Sequence, residues 1–333
     1  MSYEAKRHAA FSTRVRCFLG CLAVMTCALA RATDTAGRQS MDDAWWTGPL
    51  LAANASSLPH GHFLVEPYLY DIISYAHYDT DGHRVSTPHE NDFGSQSYVL
   101  YGITDRITAG LIPRFGFEEA RQGPSSSSPG VGDLTLQGQY RLTRFQTGSW
   151  VPTTSIVLGE TVPTGRYDRL GEHPADGFGA GAYTTTVSLY SQDYFWLGNG
   201  RILRSRLDLS YAFSHEVSIE GVSVYGTGAG FVGHASPGDT LTIDSSWEYS
   251  VTRNWVLALD IVYEHDANTR VAGSYPGSPV QQNSGPSWSV GYAPAIEYNW
   301  SPRYGVIVGA RYIPTGRNFN VTITPVAAIN MVF

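Results

Sequence analysis

The sequence contains little charge, almost no lysine and few cysteines. Charged residues make up 15% of its 333 residues, whereas about a quarter would be charged in a typical soluble domain. Lys6 is the only lysine, and the formal net charge is −7. Nucleic-acid binding depends on clustered positive charge, so this composition argues against it. Beyond residue 30 no apolar run approaches the roughly 18 residues of a membrane-spanning helix.

The N-terminus carries a targeting segment. Basic residues precede an apolar stretch over residues 17–30, and small residues suited to cleavage follow at Ala30 and Ala32. This pattern predicts a cleaved secretory signal peptide over residues 1–32. A membrane-anchor helix is the alternative, which the shortness of the apolar run disfavours. All three cysteines, Cys17, Cys21 and Cys27, lie in this segment, so the exported chain is predicted to contain none.

The remainder of the chain shows the period of β-strands. Apolar and polar residues alternate over segments of about 10 to 14 residues, as between Trp288 and Trp300, and a period of two indicates strands. Twelve such segments are predicted: 62–73, 96–103, 106–117, 132–143, 151–163, 182–195, 201–213, 240–251, 255–265, 287–299, 304–314 and 319–333. Short connections alternate with long ones near residues 74–95, 118–131, 164–181, 214–239 and 266–286.

An even number of strands, with short turns at one rim and long loops at the other, is typical of an outer-membrane β-barrel. The fold class is therefore predicted to be all-β, an antiparallel transmembrane barrel of about twelve strands with periplasmic turns and extracellular loops. A secreted two-sheet β-sandwich is the alternative. The barrel also explains an aromatic girdle at the short-turn ends of the strands. Its members are Trp150, Trp196, Trp255 and Trp300.

The chain ends on Phe333, after an alternating apolar strand. This ending resembles the C-terminal signal that outer-membrane proteins present to the barrel assembly machinery. The sequence therefore predicts outer-membrane localisation, with membrane lipid and the assembly machinery as partners.

If the apolar parity faces lipid, the charges of the other parity face the lumen. The predicted lumen residues are Arg106, Arg114, Asp133, Arg141, Arg204, Arg206, Asp208, Asp244, Glu248, Asp260, Glu264, Glu297 and Arg311. Two interpretations stay open and are compatible. The charges form a structural network of ion pairs that braces the wall, or they form a polar pathway that orients a permeating solute.

Residues 33–61 carry no strand pattern. This segment contains Trp45 and Trp46 and is predicted to be a periplasmic arm, which either docks in the lumen as a plug or stays loose. Catalytic and metal-binding patterns are weak, so we expect no enzyme, no metal and no cofactor. The pair His234 and Ser236 lies in a long loop without an evident partner. An outer-membrane lipid hydrolase remains a minor alternative.

Three motifs resemble one family of outer-membrane proteins, which is associated with meta-pathway phenol degradation. They are residues 101–106 (YGITDR), residues 132–142 (GDLTLQGQYRL) and residues 162–165 (VPTG). The resemblance implies a barrel that moves hydrophobic or aromatic compounds across the outer membrane. We therefore expect a channel for passive uptake of small solutes, hydrophobic or aromatic ones among them. The alternative is a non-conducting surface barrel whose long loops bind partners.

Overall fold

The computed structural model describes residues 37–333 and consists almost entirely of β-strands. The predicted signal peptide lies outside the described residues. Two short 3-10 helices span Met41–Asp43 and Pro174–Asp176, and no helix of the described part is long and apolar enough to cross a membrane. The strands are β1 (Phe63–Tyr78), β2 (Arg84–Thr104), β3 (Ile107–Ile112), β4 (Arg114–Glu119), β5 (Gly130–Val131), β6 (Leu134–Thr143), β7 (Thr153–Val162), β8 (Thr184–Trp196), β9 (Ile202–Ser214), β10 (Val217–Glu220), β11 (Val232–Ser236), β12 (Thr240–Ser250), β13 (Trp255–Asp266), β14 (Arg270–Tyr275), β15 (Ser278–Asn283), β16 (Ser287–Ser301), β17 (Tyr304–Arg317) and β18 (Phe319–Val332).

Fourteen of these strands form one closed antiparallel sheet. The sheet is a barrel of twelve staves, because β3 and β4 make one stave interrupted at Pro113, and β5 and β6 make another interrupted at Gly132 and Asp133. The barrel closes where β1 pairs with β18. At this seam Phe63 and Phe333 exchange backbone hydrogen bonds of 3.2 and 2.8 Å. Closure pairs the backbone groups that an open sheet edge would leave exposed to lipid.

The two faces of the barrel wall differ as the alternation predicts. Along β16 the outward residues Ile296, Tyr298 and Trp300 are exposed, while the intervening Glu297 and Asn299 are buried in the lumen. The same alternation runs through β13. The all-β barrel fold with twelve staves is therefore confirmed, and the sandwich alternative is wrong because one sheet closes on itself.

The loop predicted over residues 74–95 is wrong. Here β1 and β2 continue as a hairpin through Tyr78 and Arg84, and a tight turn at Asp79 joins them. The Asp79 carboxylate accepts hydrogen bonds from the backbone N–H groups of Asp81 and His83. Most residues of this hairpin are polar on both faces, so the sequence lacks the apolar alternation that marks a lipid-facing strand.

Two extracellular loops, residues 215–239 and 267–286, contain a second sheet that the sequence analysis missed. The strands β10, β11, β14 and β15 pair in that order. A small apolar core beneath them includes Ile219, Phe231 and Val271, and the Phe231 ring packs edge-on against Tyr275 with centroids 5.5 Å apart. These loops therefore form a folded layer at the extracellular end of the barrel.

Candidate functional site: the lumen and its arm

The arm, residues 37–61, enters and leaves the lumen at the short-turn rim. At its beginning Gln39 accepts a hydrogen bond from the Trp196 indole, and Trp45 donates one to the Arg253 carbonyl. At its end Ser57 and His60 bond to Asp105, in the turn between β2 and β3. The residues between these two attachments lie inside the barrel.

Three lumen carboxylates hold the middle of the arm through its backbone. Glu297 accepts hydrogen bonds from the N–H groups of Thr47 and Gly48, at 2.7 and 3.2 Å. Asp260 accepts from Leu50 and Ala52, at 3.1 and 3.2 Å. Asp208 accepts from Ala53 at 2.6 Å. The acidic wall of β9, β13 and β16 therefore serves as a binding surface for the arm.

Two buried arginines on β9 bring positive charge to the lumen wall. Arg204 forms a bidentate ion pair with Glu248, which is fully buried on β12. Arg206 Nε lies 3.3 Å from the same carboxylate, and Arg206 also donates to the Ala52 carbonyl of the arm at 2.8 Å. The Arg204 guanidinium lies over the Trp46 ring, 4.5 Å from its centroid. This network therefore joins the wall to the arm.

Two adjoining cavities lie beside the arm. One, of about 510 Å³, extends from Leu58 and Pro302 near the periplasmic rim to Thr161 and Thr242, close to the extracellular ends of β7 and β12. The other, of about 640 Å³, reaches Asp92, Phe319 and Asn320 toward the extracellular end. Eight residues line both: Leu50, Leu51, Tyr68, Gln96, Tyr98, Arg114, Glu264 and Arg311. The two cavities adjoin at the tip of the arm and at these side chains.

The remaining predicted lumen residues on the wall do not bind the arm, and their surroundings differ. Asp244 is buried and lines the cavity of about 510 Å³. Arg114 is exposed and lines both cavities. Arg311 pairs with Glu264 at 3.1 Å. Arg141 is half-buried near the periplasmic end of β6.

Two predicted lumen residues lie off the lumen wall. Arg106 sits in the exposed turn after β2, because the strand ends at Thr104. Asp133 lies at the break before β6 and accepts hydrogen bonds from Gly165 and Ala180. It therefore fastens an extracellular loop, for which the strand period gave no signal.

The predicted girdle tryptophans lie at the short-turn rim. Trp150 is 78% exposed, and Trp255 and Trp300 are each 48% exposed. Trp196 is half-buried and also binds the arm, as described above. Phe333 is exposed and packs edge-on against Tyr304, which stacks on Trp300. Aromatic side chains thus line the rim where a membrane interface is expected.

Two groups near the extracellular end could suggest chemistry. The carboxylates of Glu90, Asp92 and Glu118 come within 4.8 Å of one another, and Arg121 pairs with Glu90 at 3.0 Å. Sequence reasoning missed this group because β2 and β4 bring it together. In the other group the Ser236 hydroxyl donates to Glu216 at 3.2 Å, and His234 lies 3.8 Å from the same carboxylate. Both the serine and the histidine contact the acid. In a serine activated by a histidine, the serine hydroxyl would instead bond to the histidine.

An ion pair at the rim is expected to hold the arm over a wide pH range. Asp43 of the arm pairs with Arg253, and this guanidinium holds the pKa of the Asp43 carboxyl below its usual range. A depressed pKa means that the stabilising interaction is present above the usual Asp pKa and is lost as pH falls through the lowered value. We expect arm opening, measured as single-channel events, to be unchanged between neutral and mildly acidic pH.

The substitution Asp43→Asn is expected to increase the frequency of these events at neutral pH. Asp42→Asn is the matched control, because Asp42 is the exposed neighbour. Equal behaviour of the two variants would show that the ion pair does not hold the arm.

Comparisons with known proteins agree with this architecture. The model of the family described as "Putative MetA-pathway of phenol degradation" matches residues 74–324. An outer membrane channel from Pseudomonas putida F1 is similar in structure, with a TM-score of 0.64 and 15% identity over 84% of this chain and 98% of that one. The toluene transporter TodX of Pseudomonas putida gives a TM-score of 0.40 and 12% identity over 89% of this chain and 96% of that one. No curated protein sequence matches this chain. The fold is that of an outer-membrane β-barrel.

Proposed function

Since this chain belongs to the family of the putative MetA pathway of phenol degradation, we propose that it is a passive outer-membrane channel for small solutes, hydrophobic or aromatic ones among them. The observation that carries the proposal is the pair of adjoining cavities along the lumen, which together extend from the periplasmic rim to the extracellular ends of the strands. A twelve-stave barrel lies between side-chain-filled barrels of eight strands and open porins of sixteen. Selective passage of small molecules fits this size, and bulk flow does not.

We propose further that the arm is a plug that closes the channel. Its backbone is held by Asp208, Asp260 and Glu297, and its tip lies where the cavities meet. The buried ion pairs of Arg204 and Arg206 brace the wall beside it. Among the lumen charges Glu248 braces the wall, and Arg114 and Asp244 line a cavity. Arg206, Glu264 and Arg311 take part in ion pairs and also line a cavity, so the structural and the permeation interpretations stay compatible.

The partners follow from the exposed surface. We propose that the outward apolar faces contact outer-membrane lipid and that Phe333, 55% exposed at the rim, is available to the barrel assembly machinery. Nothing in the arrangement of Ser236, His234 and Glu216 favours a lipid hydrolase, so we propose no enzymatic activity.

Solute permeation tests the channel proposal. Proteoliposomes containing the full exported chain are expected to swell in phenol and in other small neutral aromatics faster than in disaccharides, because the pathway is narrow. Empty liposomes measure the permeability of the lipid to the same solutes. Swelling no faster than in empty liposomes, for every solute and also for a variant without the arm, would establish the non-conducting surface barrel instead.

A further inference from the structure

A side chain of the arm fills an apolar pocket in the lumen wall. Leu50 is 4% exposed and packs against the wall of β13, β16, β17 and β18. The wall residues of this pocket are Ala258, Ala293, Ala295, Ile307, Val326 and Ala328, and the rings of Tyr68 and Tyr70 pack against it. This pocket, defined by these residues, is the Leu50 pocket.

The Leu50 pocket differs in chemistry from its surroundings. The cavity beside it is lined by hydroxyl and amide groups such as Thr135, Gln137 and Ser188, and by charged side chains. Four of the six pocket residues are alanines, whose small side chains leave a hollow that one branched side chain fills. Gly309 borders the pocket, where a Cβ would come 2.3 Å from Pro294 O, 2.7 Å from Ala295 Cβ and 2.8 Å from Leu50 Cδ1. A wall built only for rigidity would instead be filled by its own larger side chains.

The Leu50 pocket also lies on the pathway. Leu50 and Tyr68 line both cavities, so a solute that passes from one cavity to the other passes the mouth of the pocket. The neighbouring Leu51 lines the same two cavities but is 38% exposed and lies outside the apolar cluster. The arm thus presents two adjacent leucines, of which one is buried in the wall and the other is turned toward the cavities.

We infer that Leu50 occupies a binding pocket for a small apolar ring and that such a solute competes with the arm for it. The inference rests on the proposed channel function and names the solute class and the site. A monocyclic aromatic fits because the floor is aliphatic and two tyrosine rings offer the edge-to-face contacts that aromatic rings prefer. The backbone hydrogen bonds of Leu50 and Ala52 to Asp260 return the arm when the solute leaves. Solute binding therefore opens the channel to the solute itself.

The test compares Leu50→Ala with Leu51→Ala in the full exported chain, with benzene as the probe. Calorimetry of the detergent-solubilised barrels measures benzene binding, and planar bilayers measure the frequency of channel opening. We expect Leu50→Ala to bind benzene about ten-fold more tightly than wild type, since an apolar side chain no longer competes, and to open without benzene. Wild type and Leu51→Ala are expected to bind benzene weakly, and wild type is expected to open more often when benzene is added.

A second variant checks that binding occurs in the pocket. Adding Ala328→Leu to Leu50→Ala fills the hollow and is expected to abolish the gain in affinity, and heat-modifiable gel mobility verifies folding of each variant. Equal benzene affinity in wild type, Leu50→Ala and Leu51→Ala overturns the inference, even if all three conduct, and leaves the channel proposal intact. Tighter binding to Leu50→Ala without conductance in any variant supports the pocket and rejects the channel.

Discussion

Deleting residues 37–59 is expected to raise the single-channel conductance of the barrel several-fold. The deletion removes the segment that occupies the middle of the lumen, and the remaining lumen is lined mainly by polar side chains that water can solvate. The barrel is expected to fold, because the arm lies outside the closed sheet and precedes the first strand at Phe63. The measurement is current through planar bilayers containing the refolded protein.

A reversible lock provides the matched control for the deletion. The described chain contains no cysteine, so a pair introduced as Thr47→Cys and Asn299→Cys can bond only to each other. The two native side-chain oxygens lie 2.9 Å apart. Oxidation should hold the arm in the lumen and suppress opening, and reductant should restore it. If the deletion leaves the conductance unchanged and the lock has no effect, the arm is not the plug.

The second large effect is expected from Glu248→Gln, which should destabilise the barrel by about 3–5 kcal/mol, the cost of breaking a buried ion pair by removing one partner. Glu248 has no exposed surface and is the common carboxylate of Arg204 and Arg206. Its neutralisation leaves two buried guanidinium groups without that counter-charge. Urea-induced unfolding in lipid vesicles, followed by gel mobility, measures the free energy of unfolding.

Glu264→Gln is the control for this substitution. Glu264 has one arginine partner, Arg311, and both side chains are about a quarter or less exposed, at 25% and 21%. The expected cost is about 1 kcal/mol or less, as for ion pairs that water reaches. Similar small losses for both variants would contradict the bracing role of Glu248. Because Arg204 also lies against Trp46, Glu248→Gln is expected to increase channel opening as well.

The barrel wall could be predicted from the sequence because lipid on one side and a polar lumen on the other impose a period of two. Where the two faces of a strand meet similar surroundings, the period of two is lost and the strand cannot be predicted from the sequence. The β1–β2 hairpin beyond Asp92 is surrounded by water, and residues on its two faces are alike in polarity. Asp133 follows the strand period in the sequence, yet the stave is interrupted at Gly132 and its carboxylate binds loop amides.

The arm shows a different limit. The sequence left open whether the arm docks in the lumen, because the three lumen carboxylates bind backbone N–H groups, which nearly every residue possesses. No side-chain motif therefore distinguishes the bound segment. The acceptors Asp208, Asp260 and Glu297 could be placed on the lumen side by parity, whereas their shared target is visible only when β9, β13 and β16 curve around the same space.

Both ends of the arm are fixed at the periplasmic rim, at Gln39 and at Ser57. The arm is therefore a loop that dips into the lumen and returns, and it does not thread from one side of the membrane to the other. Such a loop can be withdrawn without parting any two staves and without passing a free chain end through the barrel. Opening the channel requires breaking only the contacts between the arm and the wall, so the hydrogen bonds between β1 and β18 can stay intact each time the channel opens.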